Sequence, residues 1–167
     1  MSNPRQQALL HLGSNMGNRL ENLKDACRRL EQKAGRILQH SKVYETQPWG
    51  NPDQPDFLNM AIRMETKSNP ENLLKTIQQI EKEMGRVRDQ KWEPRLIDID
   101  LVLFADLVIQ TAELTVPHPE MHLRNFVLVP LLDVAADWVH PILKETIEDL
   151  YWENEDPLEV VMLEENA

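Results

Sequence analysis

Asp98 and Asp100 stand two residues apart in Arg95-Leu96-Ile97-Asp98-Ile99-Asp100-Leu101-Val102-Leu103-Phe104, a run otherwise dominated by aliphatic side chains. The run reads as a β-strand. Side chains alternate across a strand, so the two carboxylates share a face, roughly 7 Å apart along the backbone. Val102 and Phe104 are expected to continue that face, with Ile97, Ile99, Leu101 and Leu103 on the other. Paired carboxylates at the rim of an apolar surface repel each other and resist desolvation, and a bound cation relieves both costs. Hard oxygen ligands of this kind suit Mg²⁺, which commonly travels with phosphate. The plainer reading is the solvated face of a half-exposed sheet.

The formal charge of −10 over 167 residues looks hostile to an anionic ligand, but it is unevenly placed. From Glu145 onward the chain carries nine Asp or Glu and no Lys or Arg, which leaves residues 1–144 with a net charge of −1. Just before the Asp pair, Arg86 to Arg95 holds four basic and two acidic residues. Guanidinium groups beside a carboxylate pair fit an oligophosphate. The long basic face of a nucleic-acid binder is not found. Cys27 is the sole cysteine, which excludes an internal disulfide, and its register with Leu20, Leu23 and Leu30 makes it a small core residue. No run approaches the ~18 apolar residues that would span a bilayer, and the N-terminus does not read as a signal peptide. The expectation is a single cytoplasmic domain covering 1–167 with an acidic segment from about 145, acting as a monomer.

Elements must position the carboxylates. Gln7 to Leu12 reads as a strand that ends at Gly13-Ser14-Asn15. Asn18 with Glu21 resembles a capping box, and Leu20, Leu23, Cys27, Leu30 and Ala34 recur at helical spacing up to Gly35. A second strand is expected from about Arg36 to Tyr44. A third runs from Phe57 to Thr66, where Leu58, Met60, Ile62 and Met64 alternate with Asn59, Ala61, Arg63 and Glu65. Thr46 to Asp56, with three prolines and one glycine, is a restrained loop. Asn69-Pro70 starts a second helix with Leu73, Ile77, Ile80 and Met84 as its stripe, ending at Gly85. After the Asp strand come a small strand at Leu107 to Gln110 and an apolar helix at Phe126 to Ala136, with Pro130 tolerated only near its first turn. A last strand is expected at Leu158 to Leu163. The order β-α-β-β-α-β through Phe104 is that of the ferredoxin-like split βαβ unit, an α+β antiparallel sheet with helices packed on one face and long loops at the site.

Five blocks of residues then resemble one family, the 6-hydroxymethyl-7,8-dihydropterin pyrophosphokinases. They are Leu12-Gly13-Ser14-Asn15; Glu45-Thr46 through Gln54-Pro55-Asp56-Phe57-Leu58-Asn59; Glu81 with Gly85-Arg86-Val87-Arg88; Trp92-Glu93-Pro94-Arg95-Leu96-Ile97-Asp98-Ile99-Asp100; and Leu114-Thr115-Val116-Pro117-His118. Each alone is weak, and the five in order, from Leu9 to about Leu132, are specific. The resemblance implies transfer of pyrophosphate from ATP to a pterin alcohol in folate biosynthesis, with AMP as the other product and no covalent enzyme intermediate.

By that resemblance Asp98 and Asp100 ligate two Mg²⁺ ions bridging the ATP phosphates, and Arg86 and Arg95 are the catalytic arginines. Thr46, Pro48, Trp49, Phe57, Asn59, Trp92 and Phe126 match the pterin pocket, where a flat heterocycle stacks between Phe57 and Phe126 and Asn59 reads its polar edge. Gln78, Glu81, Arg88 and Ile99, with Thr115, His118 and Arg124, match positions around ATP. Without the family pattern, Phe57 and Phe126 would pass for core residues and Glu81 for a solvated helix position. The chain departs from the pattern at Asp89, Glu93 and Pro119 and in a shortened Arg88–Trp92 stretch, none of which removes a metal ligand or a catalytic arginine. The loops at Thr46 to Asp56 and Arg86 to Arg95 are expected to close once MgATP is bound.

Two other readings keep different classes in view. A Mg-dependent nucleotidyltransferase also pairs a Gly-Ser turn with Asp-x-Asp, but there the two lie about a dozen residues apart, whereas Gly13-Ser14 and Asp98 are separated by most of the chain. A non-catalytic ferredoxin-like module that binds a small molecule needs neither the carboxylates nor the arginines.

Overall fold

The computed structural model describes residues 4–47, 53, 55–85 and 96–163. Strand β1 (Gln6–Ser14) leads to helix α1 (Arg19–Lys33), then β2 (Arg36–His40), β3 (Tyr44–Thr46), β4 (Phe57–Thr66), α2 (Pro70–Glu83) and β5 (Asp98–Phe104). A small hairpin of β6 (Ile109–Gln110) and β7 (Thr115–Val116) follows, then α3 (Asn125–Ala135), α4 (Ile147–Glu153) and β8 (Val160–Met162). The sheet runs β5-β1-β4-β3-β8 with β2 also on β4, and every pairing is antiparallel. With β2 and β3 counted as one interrupted strand, this is the ferredoxin-like strand order expected of a βαββαβ unit.

The helix starts follow their capping residues. Asn18 accepts from the Glu21 amide at 3.2 Å, and Asn69 accepts from the Asn72 amide at 2.8 Å ahead of Pro70. Gly35 lets the chain leave α1 against β4, since a Cβ there would lie 2.2 Å from the Glu65 carbonyl. On one face of the sheet α1 and α2 cover Leu10, Leu12, Leu58, Met60, Ile62, Met64, Ile99 and Leu101, as the alternation of β4 requires.

The structure corrects four details of the sequence reading. First, helices do not keep to one face. α3, an almost wholly apolar helix that must bury itself, packs on the opposite face against Leu9, Ala61, Val102 and Leu103 and covers half of it. Second, alternation along β5 breaks: Leu10 pairs with Leu101 and Leu9 with Leu103, so Val102 is an extra residue in a β-bulge. Leu103 therefore turns to the α3 side and Phe104 to the α1/α2 side, the reverse of the simple period-two expectation. Third, the second strand is interrupted at 41–43, where the Ser41 hydroxyl accepts the Ala61 N–H at 2.8 Å in place of a ladder carbonyl. Fourth, Pro130 lies in the second turn of α3, as its sixth residue. The small strand is shorter than expected, Ile109–Gln110, and so is the last, Val160–Met162.

Among the described residues no helix is long and apolar enough to cross a membrane. Cys27 packs from α1 toward Met60, its Sγ 4.0 Å from the Met60 Sδ, and burial pushes its thiol up to about 11 from 9.0. At pH 8 only roughly one molecule in a thousand then carries the thiolate. The native protein is expected to resist alkylation by iodoacetamide that proceeds readily once it is denatured. The raised value has the corresponding sign for stability: full below pH 9, then lost as pH rises toward 11, because the unfolded thiol ionises first. Labelling at equal rates in folded and unfolded protein would contradict the placement.

Candidate active site

β5 is an edge strand, and Asp98 and Asp100 point from it to the α3 side of the sheet, beyond the half that α3 covers. Across the sheet the same face continues through β1 and β4: Asp98 pairs with Gly13 and Gly13 with Asn59, while Asp100 pairs with His11 and His11 with Ala61. The pair thus shares a face as its spacing required, and both carboxylates are half-buried.

A cleft of about 210 Å³ runs along the outer edge of β5, lined by Gln78 and Glu81 of α2, by Asp98, Ile99 and Asp100, and by Thr115 and His118. Five of the seven positions matched to ATP by sequence therefore surround the two carboxylates. Glu81, only 2 % exposed, reaches the strand itself: its Oε2 accepts the Ile99 N–H at 2.9 Å, between the two Asp residues. A carboxylate bond to the main chain fixes the strand on which the pair is mounted.

His118 is placed by the bulge. The Val102 carbonyl accepts the His118 N–H at 2.9 Å, so the extra residue of β5 ties the segment after β7 to the site. The His118 Nδ1 accepts from the Glu120 N–H at 3.2 Å, which leaves the ring proton on Nε2. Burial, reinforced by Arg124, lowers the imidazole below its ordinary value, so at pH 7 it is a neutral donor. Arg124, just before α3, ion-pairs with Glu120, and its guanidinium lies 5.7 Å from the Phe126 ring centre.

The other half of the open face is flat and aromatic. Thr46 of β3 and Asn59 of β4 are buried and joined by a 2.7 Å bond from Asn59 Nδ2 to Thr46 Oγ1. Phe57 lies against Gly13, and Phe126 lies edge-on to His11 with ring centres 5.5 Å apart. Gly13 makes room here: a Cβ would come within 3.3 Å of Asn59 Oδ1 and 3.4 Å of the Phe57 ring. Gly13→Ala is accordingly expected to displace Asn59 and Phe57 and raise the KM for an aromatic substrate about tenfold with little change in the KM for nucleotide. Equal rises in both would place Gly13 outside the aromatic slot.

The turn after β1 anchors the loop between β3 and β4. Asn15 Nδ2 donates to the Pro55 carbonyl at 3.1 Å, and Arg19 binds both Glu45 at 2.7 Å and the Asp56 carbonyl at 2.9 Å. Both ends of the 47–56 segment are held against β1 and α1. Pro48, Trp49, Arg86, Arg88, Trp92 and Arg95 lie outside the described residues, and so do most of the two loops expected to close.

Sequence reasoning missed His11. It lies at the middle of this face, 4 % exposed, and its Nε2 is 3.0 Å from the Phe126 carbonyl. Burial lowers it to about 4, more than offsetting the opposing effects of that bond and of Asp98. The available signal was a polar residue in an apolar strand, two positions before Gly13.

The sequence matches the family described as 7,8-dihydro-6-hydroxymethylpterin-pyrophosphokinase (HPPK) over residues 9–136. It is 41 % identical over 144 residues to the 2-amino-4-hydroxy-6-hydroxymethyldihydropteridine pyrophosphokinase of Synechocystis, covering 86 % of this chain and 73 % of that one. The Bacillus subtilis protein of the same name is 46 % identical over 129 residues, 77 % of each chain. The folic acid synthesis protein fol1 of Schizosaccharomyces pombe is 42 % identical over 85 % of this chain, which spans only 20 % of that longer protein. Among solved structures, Plasmodium falciparum HPPK-DHPS with pterin and p-hydroxybenzoate superposes with a TM-score of 0.75 at 19 % identity, over 90 % of this chain and 44 % of that one, a likeness of fold.

Proposed function

This chain belongs to the 7,8-dihydro-6-hydroxymethylpterin-pyrophosphokinase family, and on that premise we propose that Asp98 and Asp100 hold the Mg²⁺ of MgATP while the Thr46–Asn59–Phe57–Phe126 side of the same face receives the pterin. The protein is an ATP-dependent pyrophosphokinase that transfers pyrophosphate to hydroxymethyldihydropterin in folate biosynthesis. The observation that carries the residue assignment is the shared half-face: carboxylates, nucleotide-side cleft and aromatic slot meet over β1 and β5. Nucleotidyl transfer and a non-catalytic binding role are set aside by the family's reaction.

The donor set fits the metal. Among the described residues no cluster of three or more His, Cys, Asp or Glu could hold an ion by itself, and Mg²⁺ is a cation that takes one or two carboxylates together with substrate phosphates and water. In our reading Asp98 and Asp100 would hold two ions, whose charge would offset that of the phosphates and make the β-phosphorus a better electrophile. Gln78, Thr115 and the neutral His118 Nε2–H line the nucleotide side, with Ile99 at the strand edge, and Arg124 adds positive charge near His118.

On the pterin side, the Thr46 hydroxyl accepts from Asn59 and keeps its own proton to donate, while Asn59 Oδ1 supplies an acceptor over Gly13. A heterocycle with alternating donors and acceptors on one edge is read by such a pair. Its hydroxymethyl oxygen attacks the β-phosphorus, the bond from that phosphorus to the oxygen bridging the α-phosphate breaks, and AMP departs with that oxygen as the alcohol proton is lost. Positioning and electrostatics supply most of the rate. Arg86 and Arg95 are assigned to the charge that moves, with Pro48, Trp49 and Trp92 to the pterin and Arg88 to the nucleotide, all by sequence alone. In this reading the enzyme acts as a monomer in the cytoplasm.

Calorimetric titration with a non-hydrolysable ATP analogue tests the metal assignment. Binding is expected to require Mg²⁺ and to weaken at least about tenfold in Asp100→Asn. Undiminished binding in EDTA would remove it.

A further inference from the structure

Pro130, in the second turn of α3, has no N–H to give to the Phe126 carbonyl four residues back. His11 gives one from the sheet face on which α3 packs: a carbonyl can only accept, so the 3.0 Å contact requires the proton on His11 Nε2. The same imidazole meets the Phe126 ring edge-on at 65° between planes. His11 therefore touches this residue twice, at its main chain and at its ring. β1 is held on both sides, by β4 and by β5, so the imidazole is mounted on an interior strand of the sheet.

We infer that His11 is a positioning residue for the pterin-stacking wall: its N–H bond to the Phe126 carbonyl and its edge contact set where the Phe126 ring stands over the sheet. This rests on the reading that Phe126 stacks on the pterin. His11 itself touches no reacting atom in this assignment. Pro130 completes the device, because without a helical N–H at that position the first turn of α3 takes its donor from β1 and is tied to the site floor.

The test is a double-mutant cycle read by steady-state kinetics. His11→Phe keeps an aromatic ring, one ring atom larger, and an edge contact but removes the donor. It is expected to raise the KM for the pterin about five- to tenfold, with kcat and the KM for MgATP changed less than twofold. In a Pro130→Ala background the substituted alanine supplies its own N–H to the same carbonyl, so His11→Phe is expected to cost less than twofold there. Phe126→Ala is the control for the underlying reading. If Phe126→Ala raises the pterin KM while His11→Phe does not, or if the two substitutions in the cycle act independently, the positioning role is overturned and the pocket stands. An unchanged pterin KM in Phe126→Ala overturns both. A His11→Phe protein that fails to fold shifts the same comparison to His11→Gln, whose amide N–H retains a donor: a pterin KM near the parent's supports the role, and a rise equal to that of His11→Ala overturns it.

Discussion

Asp98→Ala is expected to lower kcat/KM for the pterin by at least about 10³-fold at saturating Mg²⁺, the several kcal/mol that a metal contributes to transition-state charge stabilisation. The fold should survive. Asp98 is half-buried on an edge strand and outside both hydrophobic clusters, so its removal is expected to move the thermal midpoint by no more than a few degrees. A large loss of activity with a small change in stability distinguishes a ligand from a structural carboxylate. Asp98→Asn, which preserves shape and one acceptor oxygen but not the charge, should be nearly as inactive if the charge holds the metal. Turnover near the parent value in either variant would remove the metal assignment.

Glu81→Ala is expected to act through the strand and to be costly for the fold. The side chain is buried, and its Oε2 holds the Ile99 N–H at 2.9 Å. Truncation leaves that amide without its side-chain acceptor and opens a gap between α2 and β5, at a combined cost of about 3 kcal/mol. For a domain of this size that lowers the thermal midpoint by about 10 °C. Glu81→Gln keeps an acceptor of the same reach and should recover more than half of the loss. MgATP affinity should fall alongside stability in Glu81→Ala, since Ile99 lies between Asp98 and Asp100, the two positions proposed to hold the metal. A variant with an undisturbed midpoint and lost nucleotide affinity would make Glu81 a direct nucleotide ligand.

Much of this was legible in the sequence where a single physical rule acts alone. The ten residues of β4 alternate without interruption and were bounded as found, because one face meets α1 and α2 throughout. Asn18 and Asn69 announced the helix starts, and Asp98 and Asp100 their shared face, because capping and strand parity are local. The bulge at Val102 was hidden. Val102, Leu103 and Phe104 are all apolar and buried, so nothing in their chemistry marks the parity change that the ladder with β1 imposes. The interruption by Ser41 is likewise a tertiary event, as its hydroxyl bonds to an amide 20 residues away.

The acidic C-terminal segment has a role that the sequence left open: Thr146 caps the seven-residue α4, and Asp156 Oδ2 accepts the Asn125 N–H at 2.9 Å at the head of α3. β8 then pairs with β3, setting Val160 opposite Thr46. The segment is thus fixed beside Thr46 and at the residue before Phe126, and Asp156 has a structural role that composition could not reveal. His11 was not legible because its partner, Phe126, is 115 positions away.

The central claim is the reaction itself on this face of the sheet, and the most direct measurement is the fate of ATP. With ATP, Mg²⁺ and 6-hydroxymethyl-7,8-dihydropterin, the purified protein is expected to form AMP and the pterin diphosphate one for one, with no AMP when the pterin or Mg²⁺ is omitted. ADP with a pterin monophosphate, or release of free pyrophosphate, would contradict it.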